Sequence, residues 1–270
     1  IGRNVLRAWM ENGCYPDFQI VAINDIADGQ TLAHLLRFDS THGRFAGQVH
    51  YDGEAFELDS LGVRQRILVL QQPDPAQLPW QSLQIDVVLE CTGHFRSRLD
   101  ASKHLSAGAG RVIIGAAPFD TVDAAIVFGV NQTSLTAQDR VISSVSCTTQ
   151  ALVPLVKILD DQFGIESALM TEIHAVTADQ SVLDQAHRDP RRARASGYNI
   201  IPTTSSALAA LKRVMPHMEG RIEGYSIRVP TINVAAIDLS IVMPQAVSAA
   251  QINAALTAAA LGAYRGIMDV

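Results

Sequence analysis

The hydrophobic positions of this chain fall into short runs whose period changes along its length. Over residues 1–12, Val5, Leu6, Trp9 and Met10 recur on one helical face, and Gly13 marks a stop. Phe18-Gln-Ile-Val-Ala-Ile-Asn24-Asp25 is a short apolar run ending in an acid, as in a buried parallel strand with a carboxylate at its C-terminal end. Residues 30–37 read as a helix, and 45–71 alternate in short stretches with Gly53 and Gly62 as turns. Residues 85–93 repeat the apolar strand and run into the turn Thr92-Gly93. A helix over 95–107 and strands over 111–115, 122–128 and 141–145 follow. Strands alternating with helices are the α/β signature, and the pattern predicts a Rossmann-type dinucleotide-binding domain.

Beyond residue 146 the period changes. Residues 169–177, 222–228 and 234–243 alternate as antiparallel strands do. Helices are predicted over 206–218 and 248–260, with a polar segment over 178–199. The expectation is an α+β catalytic domain with a mainly antiparallel sheet. The domains would be 1–146 and 147–270.

Composition narrows the classes. The chain has 270 residues, 48% hydrophobic and 18% charged, with a net charge of −6. That balance argues against a general nucleic-acid or membrane-surface binder. No apolar run reaches about 18 residues, and no signal peptide is read. Three cysteines, Cys14, Cys91 and Cys147, are too scattered for a disulfide framework and point to a reducing, cytoplasmic setting. The histidines and cysteines lack metal-ligand spacing, so no metal is expected. The chain opens on Ile1 and reads as a fragment without its true start.

Candidate chemistry begins at Ser143-Ser144-Val145-Ser146-Cys147-Thr148-Thr149-Gln150. Leu152, Leu155, Val156, Leu159 and Phe163 continue it at helical spacing, Pro154 is placed in the first turn, and Gly164 stops the run. Cys147 at a helix start has a setting that favours the thiolate nucleophile, but for a lone cysteine the reading from these residues alone is a small buried thiol packed against the helix. A nucleophilic cysteine needs a base, and His174, within an apolar alternation, is the candidate. Asp25 and Thr92-Gly93 stand at strand ends where a dinucleotide lies. A G-x-G-x-x-G fingerprint cannot be claimed, because only Gly2 could belong to one. Arg191, Arg192, Arg194 and the isolated Arg228 suit an anion. Thr177, Asp179, Thr203, Thr204, Ser205 and Ser206 could add polar contacts.

Together these stretches resemble the glyceraldehyde-3-phosphate dehydrogenase family. Ile1-Gly2-Arg3-Asn4-Val5, Asp39-Ser-Thr-His-Gly-Arg-Phe45, Glu90-Cys-Thr-Gly93, Ser146-Cys-Thr-Thr149, Asn199-Ile-Ile-Pro202 and Arg228-Val-Pro-Thr-Ile-Asn233 fall in the family's order. Phe128-Gly-Val-Asn-Gln132, Lys157-Ile-Leu-Asp-Asp161 and Asp189-Pro-Arg-Arg-Ala-Arg194 look closest to its erythrose-4-phosphate branch. The resemblance implies NAD-dependent oxidation of a phosphorylated aldose through a Cys147 thioester, with His174 as base. The main expectation is D-erythrose 4-phosphate, oxidised to 4-phosphoerythronate in pyridoxine (vitamin B6) synthesis. The alternative is the phosphorylating, glycolytic glyceraldehyde-3-phosphate enzyme, and a second is a non-catalytic truncated member. It further implies cofactor contacts from Ile1, Gly2, Asn24, Asp25, Thr92 and Gly93. The Asp25 carboxylate would bind ribose hydroxyls and exclude a 2′-phosphate, favouring NAD over NADP. Thr177, Asp179, Arg194 and Arg228 map onto the substrate-phosphate site, with Arg192 as a further candidate. Ser146 joins the substrate contacts, and Thr148, Ser205 and Ser206 map onto the second anion site. A homotetramer is implied, as is the absence of the family's N-terminal strand and C-terminal segment, which predicts weak NAD binding. Gln150, Ser144-Val145 and Ser206 depart from the family's usual residues.

Overall fold

Helix formation starts at once. In the computed structural model, which describes residues 1–13, 15 and 17–270, α1 (Gly2–Glu11) buries Leu6, Trp9 and Met10. Cys14 lies outside the described residues. The apolar run over 18–25 is strand only in β1 (Ala22–Asn24). Asp28 caps α2 (Gly29–Arg37) by accepting from the Thr31 N–H. β2 (Phe38–Asp39) and β3 (Gly43–Arg44) form a short hairpin. β4 (Gly47–Tyr51), β5 (Ala55–Ser60) and β6 (Val63–Leu70) form an antiparallel meander. Leu61 and Gly62 join β5 to β6 with φ of 52° and 79°, the double positive of a type I′ hairpin turn.

β7 (Val87–Glu90), α3 (Arg98–Ser106) and β8 (Arg111–Ile114) come next, then β9 (Ala124–Ala125) and β10 (Val141–Ser143). The strand predicted over 122–128 shrinks to β9. The Asn131 side chain accepts from Val127 N–H at 2.8 Å and donates to the Ala125 carbonyl at 2.9 Å, which takes backbone groups a strand ladder would use. α4 (Cys147–Phe163), β11 (Ser167–Ala175), β12 (Ile201–Thr203), α5 (Ala207–Val214), β13 (Ile222–Val229), β14 (Ala235–Val242) and α6 (Ala249–Leu261) complete the chain. The helix predicted over 206–218 stops at Val214, because Pro216 cannot continue the ladder and instead opens a 3-10 turn. Among the described residues no helix is long and apolar enough to cross a membrane.

The chain divides into two compact units. The first holds Ile1–Asp123 and Asp139–Ile142, the second Ala124–Gln138 and Ser143–Val270. In the first, β1 pairs parallel with β6 and β7 parallel with β8, with β10 beyond β8. Leu6, Trp9 and Met10 of α1 pack with Leu36, Phe56 and Ile67, while Trp80, Val88, Ala101, Val112 and Ile114 form a second cluster. In the second unit the strand order is β12-β13-β11-β14. The outer pairings are antiparallel, as expected, but the central pair β11·β13 is parallel. A parallel pair needs a crossover, and the chain between its strands supplies one that includes α5. Leu152, Val153, Val156 and Leu159 seat α4 against Met170, Leu211 and Ile222.

Candidate active site

The sulfur sits where the local sequence puts it. Ser146 is the N-cap of α4, and its hydroxyl oxygen accepts from the Thr149 N–H at 3.2 Å. Cys147 is therefore the first helical residue, exposed and at the positive end of the helix dipole. Pro154 is not in the first turn but inside the helix, buried, where it cannot donate to the Gln150 carbonyl. The residue before Ser146 is strained. Val145 has φ of 54°, a left-handed conformation that a β-branched side chain rarely adopts. Its N–H goes to Ser143 Oγ at 2.9 Å, and the Gln150 side chain donates to the carbonyls of Ser144 and Ile126.

Alternation along β11 turns Glu172 and His174 inward, towards α4. His174 Nε2 lies 3.3 Å from Cys147 Sγ. Its Nδ1 lies 2.6 Å from the Ala175 carbonyl. A carbonyl only accepts, so Nδ1 carries a proton and Nε2 faces the sulfur as the exchanging nitrogen. The hydrogen bond from His174 holds the Cys147 thiol below its ordinary pKa, against the upward push of burial. The same bond raises His174 against its own burial. The pair is biased towards thiolate and imidazolium.

The β11·β13 register sets Arg228 directly opposite His174. Arg228 is buried and reaches Thr177 Oγ1 at 3.4 Å and the Ala175 carbonyl at 3.5 Å. Burial, and then the neighbouring charge of Arg192, lower its guanidinium from the ordinary value. Its Nε is buried without a hydrogen-bond partner among the described residues. Arg192 donates to Asp179 at 2.9 Å, and His187 lies 3.4 Å from the same carboxylate. Burial would raise Asp179, but His187 and then Arg192 prevail and hold it below the usual range. Arg194, the arginine expected here, instead pairs with Asp184 at 3.0 Å, with its side chain 64% exposed.

The hydroxyls divide as well. Thr148 is buried and gives its proton to Glu172, so that proton is not free for an anion. Glu172 escaped the sequence reading, although it stands two residues before His174 on the same strand face, the signal that could have found it. Ser205 Oγ accepts from the Ala207 N–H at 3.2 Å, and Ser206 is the N-cap of α5 without a side-chain cap bond.

Residues 1–98 match the NAD-binding domain, and 146–270 the C-terminal domain, of glyceraldehyde-3-phosphate dehydrogenase. Two relatives in Cupriavidus necator, the plasmid and the chromosomal glyceraldehyde-3-phosphate dehydrogenase, are each 49% identical over 269 residues, covering 100% of this chain and 79% of theirs. The chain belongs to the glyceraldehyde-3-phosphate dehydrogenase family. It is thus an NAD-dependent dehydrogenase with an N-terminal NAD-binding domain and a C-terminal domain.

The family's cofactor can be tested against the first unit. α1 opens at Gly2 behind Ile1, which offers no side-chain cap, so the first N–H groups are open to an anion. A Cβ on Gly2 would come 3.3 Å from Cys91 Cβ, which puts this helix start at the end of β7. Asp25 ends β1 as an exposed carboxylate, its Oδ1 accepting from the Ala27 N–H at 2.9 Å. Gly93 is exposed with φ of 77° and open space around it. Helix start, strand-end carboxylate and glycine turn all lie at carboxyl ends of parallel strands, and so fit a dinucleotide. Asn24 differs from the expectation. Its side-chain amide is engaged on both sides by the Gln72 backbone, donating to the carbonyl and accepting from the N–H, each at 2.9 Å.

Proposed function

We propose that this dehydrogenase oxidises glyceraldehyde 3-phosphate through a thioester on Cys147. The observation that carries the reading is the Cys147–His174 contact at 3.3 Å with Arg228 opposite the histidine in the sheet. The names of the relatives favour this aldehyde over erythrose 4-phosphate, the first expectation from the motifs.

His174 Nε2 takes the Cys147 proton, and the thiolate adds to the aldehyde carbon to give a thiohemiacetal. The imidazolium N–H stabilises the new oxyanion and passes its proton to it, forming the hydroxyl and leaving His174 neutral. NAD, when bound, supplies the acceptor for the hydride that leaves this carbon. As the carbonyl re-forms, His174 takes the hydroxyl proton and the thioester remains on Cys147. Inorganic phosphate displaces the sulfur, giving an acyl phosphate and the free thiolate. Arg228, Thr177 and the Arg192–Asp179 pair hold the substrate phosphate. Thr148, Ser146, Ser205 and Ser206 lie towards the second anion. Ile1, Gly2, Asp25, Thr92 and Gly93 hold NAD, with Asn24 fixing the end of β1. Cofactor work falls to residues 1–146 and chemistry to 147–270, in a cytoplasmic homotetramer proposed on family membership alone.

One observation favours a second reading. Thr148 spends its proton on Glu172, which weakens the second anion site and leaves water as the acyl acceptor, as erythrose-4-phosphate oxidation requires.

NADH formation from each aldehyde, with and without inorganic phosphate, separates the two. Strict phosphate dependence with preference for glyceraldehyde 3-phosphate is expected. Phosphate-independent turnover of erythrose 4-phosphate would overturn the choice. Cys147→Ser should abolish NADH production from either aldehyde with the fold intact, and retained turnover would refute the thioester.

A further inference from the structure

Trp80, His104 and Glu90 form a polar line through the core of the first unit. They are 5%, 4% and 4% exposed. The Trp80 indole N–H donates to His104 Nδ1 at 2.9 Å. An indole only donates, so Nδ1 presents its lone pair and the ring proton sits on Nε2. That Nε2–H meets Glu90 Oε2 at 3.2 Å. The other oxygen, Oε1, accepts from the Thr92 N–H at 2.7 Å and the Thr92 hydroxyl at 2.5 Å. Thr92 Oγ1, its proton committed, accepts from the His94 N–H at 3.0 Å. Every proton direction from the buried indole to the turn after β7 is thereby set.

The line fixes an exposed turn. Thr92, Gly93 and His94 are all open to solvent, and Gly93 has φ of 77°. The His104 ring is itself held, with Trp80 stacked at 6.2 Å and Phe95 edge-on at 6.5 Å between centroids. A buried carboxylate persists only with its charge satisfied. Burial pushes Glu90 up, but the His104 and Thr92 hydrogen bonds prevail and hold it below the usual range. A fully satisfied buried polar line fixes the groups at its end, and replacing buried charge by apolar residues of similar volume is often neutral or stabilising, so its endpoint calls for an explanation.

We propose that Trp80, His104 and Glu90 are positioning residues that hold the Thr92-Gly93-His94 turn in the form that binds NAD. The proposal rests on the cofactor site assigned above to the carboxyl ends of β1 and β7. Glu90 accepts three protons on two oxygens. Glutamine offers one amide oxygen and two N–H protons, so every rotamer sets a donor against either Thr92 or His104. Glu90→Gln therefore breaks the line without changing its size.

The test is NAD binding by calorimetry, with KM and kcat for the aldehyde measured at saturating NAD. Loss of one hydrogen bond to a charged group predicts that Glu90→Gln raises the NAD Kd about tenfold, with the aldehyde KM within about twofold. His104→Leu should match it. His104→Gln, which restores an acceptor facing Trp80 and a donor facing Glu90, should stay within about threefold of wild type. Nitrogen-15 NMR of the wild-type imidazoles gives a readout independent of binding and of variant folding, and His104 should be the neutral Nε2–H tautomer. An Nδ1–H tautomer, or folded Glu90→Gln and His104→Leu proteins that bind NAD like wild type, overturns the proposal. A wild-type protein that binds no NAD overturns the cofactor-site reading itself.

Discussion

Gln150 donates its side-chain amide to the backbone carbonyl of Ser144 at 2.8 Å, across the strained Val145 that precedes the nucleophile's helix. A second bond, to the Ile126 carbonyl at 3.0 Å, anchors the same amide. The side chain reaches back from the first turn of α4 and holds the chain that enters it. Gln150→Asn is one methylene too short for this reach. Two lost hydrogen bonds predict a stability loss of about 1–2 kcal/mol, read by denaturant unfolding. The kcat should fall with the NAD Kd unchanged, because the clamp acts on the Cys147 end of the molecule. Unchanged stability and kcat would remove Gln150 from this role.

The Cys147–His174 pair gives a pH dependence with a definite sign. The thiol pKa is depressed chiefly by the His174 hydrogen bond, so thiolate is lost only as pH falls through a value below the ordinary cysteine range. Iodoacetamide alkylation should rise with pH through that depressed value and then level off. His174→Gln should move the inflection up and slow alkylation at pH 7. An inflection that stays put in this variant would show that the helix start alone depresses the thiol.

The arginines of the 178–199 segment can be told apart. Arg192 is linked to Asp179 and contributes to the field at Arg228, whereas Arg194 is solvated beside Asp184. Arg228→Leu and Arg192→Ala should raise KM for glyceraldehyde 3-phosphate about tenfold or more, and for unphosphorylated glyceraldehyde by less than about twofold. Arg194→Ala should leave both KM values within about twofold, as expected of an exposed pair. A larger effect from Arg194 than from Arg192 would reverse the assignment.

Features with a local cause were legible in the sequence. Ser146 caps, the apolar positions from Leu152 onward are periodic, and Cys147 falls at the helix start without any tertiary information. His174 was legible from strand alternation. Which arginine would turn towards the phosphate site was not, because Arg192 and Arg194 share a segment without period, and only the turn at Pro190–Ala193 aims one and not the other. The short β9 was hidden for a similar reason, since Asn131, from beyond the run, takes its backbone groups. Glu172 was passed over because a charged residue facing inward breaks the hydrophobic alternation that identified its strand. The parallel β11·β13 pair was misjudged because alternation reports which face is buried and not which way the neighbour runs.

That parallel pair has a consequence for how the molecule assembles. His174 and Arg228 become neighbours only after the chain between their strands, including α5, has been laid across the sheet. Contacts between residues so far apart in sequence form late, because the loop entropy must be lost before the pairing returns anything. α4 and its cysteine can form early from local signals alone. During folding the thiol is therefore presented before its histidine and its arginine arrive, and it gains its thiolate character only when the sheet is complete.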